Sequence, residues 1–291
     1  KHDSFSERIF DGFNYLFLAL FALVTLLPFI YIISASMATE AEITERGVFL
    51  FPRELSLGAY QYILSSNTIF RSMGVSIYIT VVGTLVNLAF TLSMAYALSR
   101  RSLWGRGVIM NLVIFTILFS GGMIPGYLVV RNLGLIDSYA AVILPGAISA
   151  FNLIIIKNFF QELPPGLEES ARIDGCNDLG VLWRIVLPLS KPVIATFGLF
   201  YAVGHWNNFF SAMLYLNDHT KWPLQVMLRE IVMLSQLAVG DMNNLDPSFT
   251  KPPEQSVKMA VIVFGTLPIM LVYPFLQKHF AKGVLLGSIK G

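Results

Sequence analysis

Apolar residues in this chain come in long uninterrupted windows separated by short polar connections, not in amphipathic bursts. Six windows are free of Asp, Glu, Lys and Arg. They lie between Asp11 and Glu40, Arg71 and Arg100, Arg106 and Arg131, Asp137 and Lys157, Lys191 and Asp218, and Lys258 and Lys278. A helix that crosses a bilayer needs about 20 mostly apolar residues, with roughly 17–25 observed, and each window meets that length. The pattern predicts an all-α, polytopic transmembrane helix bundle with six spans, near residues 13–36, 72–98, 107–130, 139–156, 192–216 and 259–277. One transmembrane domain over 1–291 is expected, with no soluble domain and no internal repeat. The first window outruns the roughly 7–15 apolar residues of a secretory leader, so Ser34-Ala35-Ser36 reads as the end of an anchored span.

Basic residues near the span ends set the expected orientation. Lys1 and Arg8 precede the first window. Arg100, Arg101 and Arg106 crowd the second connection, and Lys278, Lys282 and Lys290 follow the last window. These sites, and both termini, are expected in the cytoplasm. The connection before Arg71 carries Glu40, Glu42, Glu45 and Glu54 and is expected outside, although Arg46, Arg53 and Arg71 dilute the signal. Within it, SLGAYQYIL reads as a short interfacial helix. The connection 131–137 is a brief turn. The connection 218–257 is the longest and is also expected outside. Pro223 starts a helix there through Leu237, with Leu224, Met227, Leu228, Ile231 and Leu234 on one face. Gly240-Asp241-Met242-Asn243-Asn244 follows as a polar turn, and Pro247, Pro252 and Pro253 bring the chain back. The C-terminal 282–291, with three glycines and two lysines, reads as a flexible basic tail.

The polar segment 163–188, LPPGLEESARIDGCNDLGVLWRIVLP, has its own internal logic and falls on the cytoplasmic side. Pro164-Pro165 suits a helix start, where the missing N–H costs nothing. A short helix over 167–174 follows. Gly175 stands where a chain leaving a helix needs positive φ. Asn177 or Asp178 caps a second helix that carries Leu179, Leu182, Trp183 and Val186 at helical spacing and ends at Pro188.

Composition then narrows the chemistry. The 291 residues are 55% hydrophobic and 13% charged, against about 25% charged in soluble domains. A net charge of +2 leaves no electrostatic footprint for nucleic acid. The single cysteine, Cys176, excludes an intrachain disulfide and a multi-cysteine metal site. His2, His205, His219 and His279 fall at no ligand spacing, so no metal site is predicted. The six windows hold no acid and one histidine. That argues against a membrane enzyme and against an ion-coupled carrier, both of which need ionisable groups at membrane depth; no catalytic residue is predicted. The phrase His205-Trp206-Asn207-Asn208 sits inside the fifth window. Asparagine offers donors and acceptors and tryptophan a flat apolar face, the combination that sugar rings bind. Hydrogen bonding between helices, with Trp206 as an interfacial anchor, accounts for the same residues equally well. His205 alone, and Asn87 in the second window, read as structural. Phe119-Ser120-Gly121-Gly122-Met123-Ile124-Pro125 breaks the third window near its end.

Glu169-Ser170-Ala171, then Gly175, then Ile185, Leu187 and Pro188, resemble the EAA loop of ABC-importer permeases: E-A-A, three residues, G, nine residues, I-x-L-P. Ser170 replaces the first alanine. The resemblance extends along the chain. FSGGMIP, Leu133-Gly134-Leu135-Ile136, Ile143-Leu144-Pro145, the Trp206-Asn207 region and Gly287-Ser288-Ile289-Lys290-Gly291 are similar to the MalG-type permeases of carbohydrate importers. FSGGMIP and FNLIIIKNFF look most like a branch handling oligosaccharides, including uronic-acid oligomers such as alginate. The resemblance implies the MetI-like permease fold in the bacterial inner membrane and alternating access. It implies a second permease, two cytoplasmic ATPase subunits and an extracytoplasmic solute-binding protein as partners. It places Glu169, Ser170, Ala171, Asp174 and Gly175 against the ATPase, and Trp206, Asn207 and Asn208 on the substrate path. Gly240, Asp241, Asn243 and Asn244 are expected to meet the binding protein, and the tail to reach the ATPase interface. The chain has no G-x-x-x-x-G-K-[ST] phosphate loop. No cofactor is therefore expected in it, and ATP and Mg belong to the ATPase subunits. The same machine carrying amino acids or peptides is the alternative.

Overall fold

The structure is a computed structural model and describes residues 5–234 and 255–288. Among these residues every regular element is helical. The helices are α1 (Phe5–Ser36), α2 (Glu40–Arg46), α3 (Gly58–Ser65), α4 (Asn67–Ser99), α5 (Arg106–Leu118), α6 (Met123–Asn132), α7 (Tyr139–Ile143) and α8 (Ala150–Glu162). After these come α9 (Pro165–Ile173), α10 (Asp178–Leu189), α11 (Lys191–Asn207), α12 (Phe210–Tyr215), α13 (Leu224–Leu234) and α14 (Gln255–Ser288).

The expected six spans are not all continuous helices. Among the described residues three stretches are long and apolar enough to cross a membrane: Ile9–Ser36, Asn67–Ser99 and Gln255–Tyr273. Two bent pairs raise the number to five, Tyr139–Gly146 with Ala150–Glu162 at 52°, and Asp178–Leu189 with Lys191–Asn207 at 85°. The third window is split. At 1.5 Å per residue α5 is about 20 Å long, short of the roughly 30 Å hydrocarbon core. Its continuation is broken where Phe119 turns extended and Gly122 takes φ 86°. The fifth window is likewise broken, between α11 and α12. The C-terminal segment also differs from expectation: residues 282–288 continue α14 as helix. Residues 289–291 lie outside the described residues.

The chain divides into two compact units. The first comprises Lys1–Phe70 and Met227–Pro268. Its α1 is exposed throughout residues 9–29, a surface that water cannot solvate favourably. Only its C-terminal end packs, where Ala35 joins Ala38, Ile43, Phe49 and Met259. Thr39 caps α2 through Glu42 N. Glu42 then pairs with Arg46 and accepts the Arg53 N–H at 2.8 Å. Glu40 reaches the start of α14, accepting from Ser256 N at 3.1 Å. A remote carboxylate thereby satisfies an open amide of the first turn.

The second unit comprises Arg71–Val226 and Ile269–Gly291, and α4 is its axis. Near one end of α4, Val75 and Ile79 pack with Val142, Ile143, Ala212, Leu216 and Val226. Toward the other end, Leu92, Ala95, Tyr96 and Leu98 pack with Leu153, Ile156, Phe160, Ala171, Val181, Leu182 and Val186. A polar layer separates the two clusters. The turn after α6 is closed by Gly134 at φ 67°, with Leu135 N bonded to Val130 O and Gly134 N to Arg131 O, the Schellman arrangement. Asp137 follows, with φ 62°. Its carboxylate accepts Asn217 N and Asp218 N, both at 3.0 Å, and Lys221 Nζ at 2.7 Å. Those hydrogen bonds, Lys221 foremost, hold the Asp137 carboxyl below its ordinary range, and Asp137 raises Lys221 in turn.

Candidate functional site

The segment 163–188 folds as two helices around a glycine bend. Pro165 opens α9, and its missing N–H falls where no intrahelical partner exists. Gly175 ends the helix with φ 84°. Cys176 N bonds to Ala171 O at 2.9 Å and Gly175 N to Arg172 O at 3.0 Å, again the Schellman pattern, with Cys176 packed on the cluster that holds Ala171. Asn177, not Asp178, caps α10, accepting from Gly180 N at 2.8 Å. Asp178 is used differently: it pairs with Arg172 at 2.7 Å across the bend. Both partners of that pair are more than half exposed, so it contributes roughly 0–1 kcal/mol.

α10 departs from the expected register. It widens into a π-turn over Leu182–Val186, which adds a residue per turn and rotates the following side chains. Val181, Leu182 and Val186 are buried, while Leu179 and Trp183 are 66% and 67% exposed. Pro188 does not end the helix. It lies in the closing α-turn Leu187–Leu189, and the chain turns at Ser190 before α11 leaves at 85°.

The two faces of α9 have different uses. Ala171 is buried in the unit's own cluster. Glu168 turns inward and forms an ion pair with Arg100, whose guanidinium also lies 4.1 Å from the Tyr96 ring centroid. These partners are 21% and 16% exposed, so solvent screens this pair less than the Arg172–Asp178 pair. Glu169, Ser170, Asp174 and Gly175 face outward, beside Ile173 at 86% exposure. Ser170 Oγ donates to Gly166 O at 2.8 Å. Exposed Ile173, Leu179 and Trp183 on an otherwise polar loop have the character of a surface made to be covered.

The polar layer of α4 is the second constellation. Asn87 Nδ2 donates to Gly146 O at 2.6 Å and Ala147 O at 3.1 Å, and its Oδ1 meets His205 Nε2 at 2.6 Å. One turn on, Thr91 meets the Tyr201 hydroxyl at 2.8 Å. Gly83 makes room for the imidazole, since a Cβ there would sit 2.5 Å from Nε2. Sequence reasoning treated Asn87 and His205 separately. Two polar groups in different apolar windows imply one another, because neither is tolerated alone at that depth; that signal was available. Glu168 and Arg100 carried no comparable signal.

Trp206 is buried, and Asn207 is exposed with its amide donating to Val203 O at 3.0 Å. Asn208 Oδ1 accepts from Ser211 N at 3.1 Å and so caps α12. α13 begins at Leu224, one residue after Pro223, and buries Leu224, Met227 and Ile231. Gly240, Asp241, Asn243 and Asn244 lie outside the described residues. Among the described residues no group of His, Cys, Asp and Glu has metal-holding geometry.

Comparison with known proteins bears on this geometry. Residues 1–286 match the family model for the binding-protein-dependent transport system inner membrane component. The chain is 61% identical to Protein LplC of Bacillus subtilis over 290 residues, covering 100% of this chain and 98% of that one. It is 59% identical to the polygalacturonan/rhamnogalacturonan transport system permease protein YtcP of the same species, over 98% and 99% of the two chains. Among solved structures, it superposes with a TM-score of 0.88 and 37% identity on a chain from a bacterial ABC transporter involved in the import of the acidic polysaccharide alginate. That match covers 96% of this chain and 99% of the other.

Proposed function

We infer the function from one premise: the chain belongs to the family of binding-protein-dependent transport system inner membrane components. It is therefore an inner-membrane transport component and not an enzyme, and it works within a system that includes a partner permease, an ATPase and a solute-binding protein.

The finer reading is that this permease imports acidic oligosaccharides built from uronic acids. The observation that carries it is the near-full-length similarity to two proteins whose names specify such cargo, polygalacturonan/rhamnogalacturonan and alginate. The loop 163–188 supports the coupling role. Its outer face, with Glu169, Ser170 and Ile173, is the part that docks on a cytoplasmic ATPase subunit, and Ala171 and Glu168 hold it to the bundle from within. ATP and Mg are bound by two such subunits. Their closure moves the docked loop, and α4 carries the displacement from Arg100 to the polar layer, about 20 Å away along the helix. The mostly buried layer of Asn87, Thr91, Tyr201 and His205 ties the helices together, and Trp206, Asn207 and Asn208 beside it lie on the path of the sugar. Both termini are cytoplasmic and the connection 218–257 faces the binding protein.

The test is uptake by vesicles containing this chain, its partner permease, the ATPase and the loaded binding protein, supplied with radiolabelled oligogalacturonides, oligoalginates, neutral oligosaccharides and peptides. Uptake of the uronic-acid oligomers in preference to the other cargoes is expected. Preference for peptides would return the alternative cargo.

A further inference from the structure

Lys157 is an anomaly of the second unit. It sits on α8 between Ile156 and Phe160, residues of the apolar cluster, and its own exposure is 7%. Among the described residues nothing accepts a hydrogen bond from it or pairs with it. Its electrostatic neighbour is a second cation, Arg106. Its ammonium is not among the fully enclosed polar atoms: a mostly buried stem brings the head to the surface beside a like charge and without a counter-charge, which is unfavourable. No acid acts on it, and Glu168 and Asp178 of the following loop pair instead with Arg100 and Arg172.

Arg106 opens α5, and its Nε donates to Leu98 O at 2.8 Å. Its position is anchored while its charge is not neutralised. Two residues earlier stands Trp104, 95% exposed, and beyond lie Val108 and Leu112 on an exposed apolar face of α5. Arg101 is exposed on the same turn. A bare indole beside cations, at the point where an apolar helix begins, is the composition of a protein surface at headgroup level. The missing group is thus an anion that arrives from the bilayer side, and basic pockets between helices at that level bind lipid headgroups.

We propose that Lys157 and Arg106, with Trp104 beside them, form a binding site for the phosphate of an anionic phospholipid headgroup. The phosphate supplies the counter-charge that the chain lacks, and the indole packs on the glycerol and upper acyl region. The site rests on membership of a membrane-embedded family and not on the identity of the cargo.

The experiment uses the purified assembled transporter in neutral detergent. It is titrated with phosphatidylglycerol, with phosphatidylcholine or with inorganic phosphate, and bound lipid and melting temperature are followed. Phosphatidylglycerol is expected to bind and raise the melting temperature, with phosphatidylcholine and inorganic phosphate ineffective at the same concentration. Loss of one cation by K157M or R106Q should raise the half-saturating phosphatidylglycerol concentration about fivefold, and K157R should restore it. Should K157M fail to assemble, R106Q and W104A at exposed or half-exposed positions carry the test. Equal effects of the two lipids, or wild-type affinity in both cation variants, would overturn the site. An equal effect of inorganic phosphate would overturn the lipid as its occupant.

Discussion

Asn87 on α4 accepts the His205 Nε2 proton from α11 at a separation of 2.6 Å. The direction follows from the rest of the amide. Its Nδ2 faces the carbonyls of Gly146 and Ala147, so Oδ1 is left to accept, and the imidazole must carry its proton on Nε2. One side chain thereby ties two long helices to the irregular break between α7 and α8. Asn87→Leu removes the amide donor from two carbonyls and the acceptor from the imidazole, at a cost of about 1–3 kcal/mol for each group left unsatisfied. Thermal unfolding of the purified complex should show a clear loss, larger than for exposed Ser93→Ala.

The same contact predicts a compensating pair. Gly83→Ala places a methyl 2.5 Å from the imidazole, an overlap costing about 1–3 kcal/mol. His205→Ala removes the obstacle. The double variant should therefore be less impaired in stability than the sum of the two single changes. Additive losses in a double-mutant cycle would show that the two sites are independent.

Glu168 and Glu169 are neighbours in sequence and opposite in use. Glu169→Gln should weaken binding of the ATPase subunit, since it removes an exposed acceptor for a charge-assisted hydrogen bond. Glu168→Gln should leave that affinity near wild type and lower transport per ATP hydrolysed, because Arg100 loses its partner. Exchanging the charges, Arg100→Glu with Glu168→Arg, should recover part of the coupling. Pull-down of the ATPase and coupled transport assays separate the two effects.

The Asp137–Lys221 latch makes a pH prediction. The lowered Asp137 carboxyl contributes stability that is present above the ordinary value of about 3.9 and is lost as pH falls through the depressed one. Raised Lys221 contributes below about 10.4 and loses its contribution as pH rises through the elevated value. The difference in melting temperature between wild type and Asp137→Asn should stay constant from about pH 5 to pH 9 and shrink below about pH 4. Asp137→Ala should be worse than Asp137→Asn, because asparagine tolerates the positive φ that alanine resists.

Much of this fold was legible in composition and periodicity because lipid-crossing helices must be long and apolar. What was not legible is where those helices break. Phe119–Gly122 splits one window, and the extended Asn208 breaks another between α11 and α12, yet windows free of charge look identical whether straight or broken. Within the loop, proline, glycine and Asn177 announced themselves through local backbone chemistry. The π-turn did not. Pairings across long sequence separations, such as Asn87 with His205 or Arg100 with Glu168, depend on helix placement and so escaped single-residue reading.

In the proposed coupling role the bend at Gly175 transmits ATP hydrolysis into import, which hydrolysis and uptake recorded in the same reconstituted vesicles would test. Open space surrounds Gly175, so a substitution there costs backbone strain of about 1–2 kcal/mol and no steric clash. Gly175→Leu should keep ATP hydrolysis while losing most of its uptake, and Gly175→Asn, which accepts the same φ, should lie close to wild type. Uptake per ATP by Gly175→Leu equal to that of wild type would show that the bend does not couple the two.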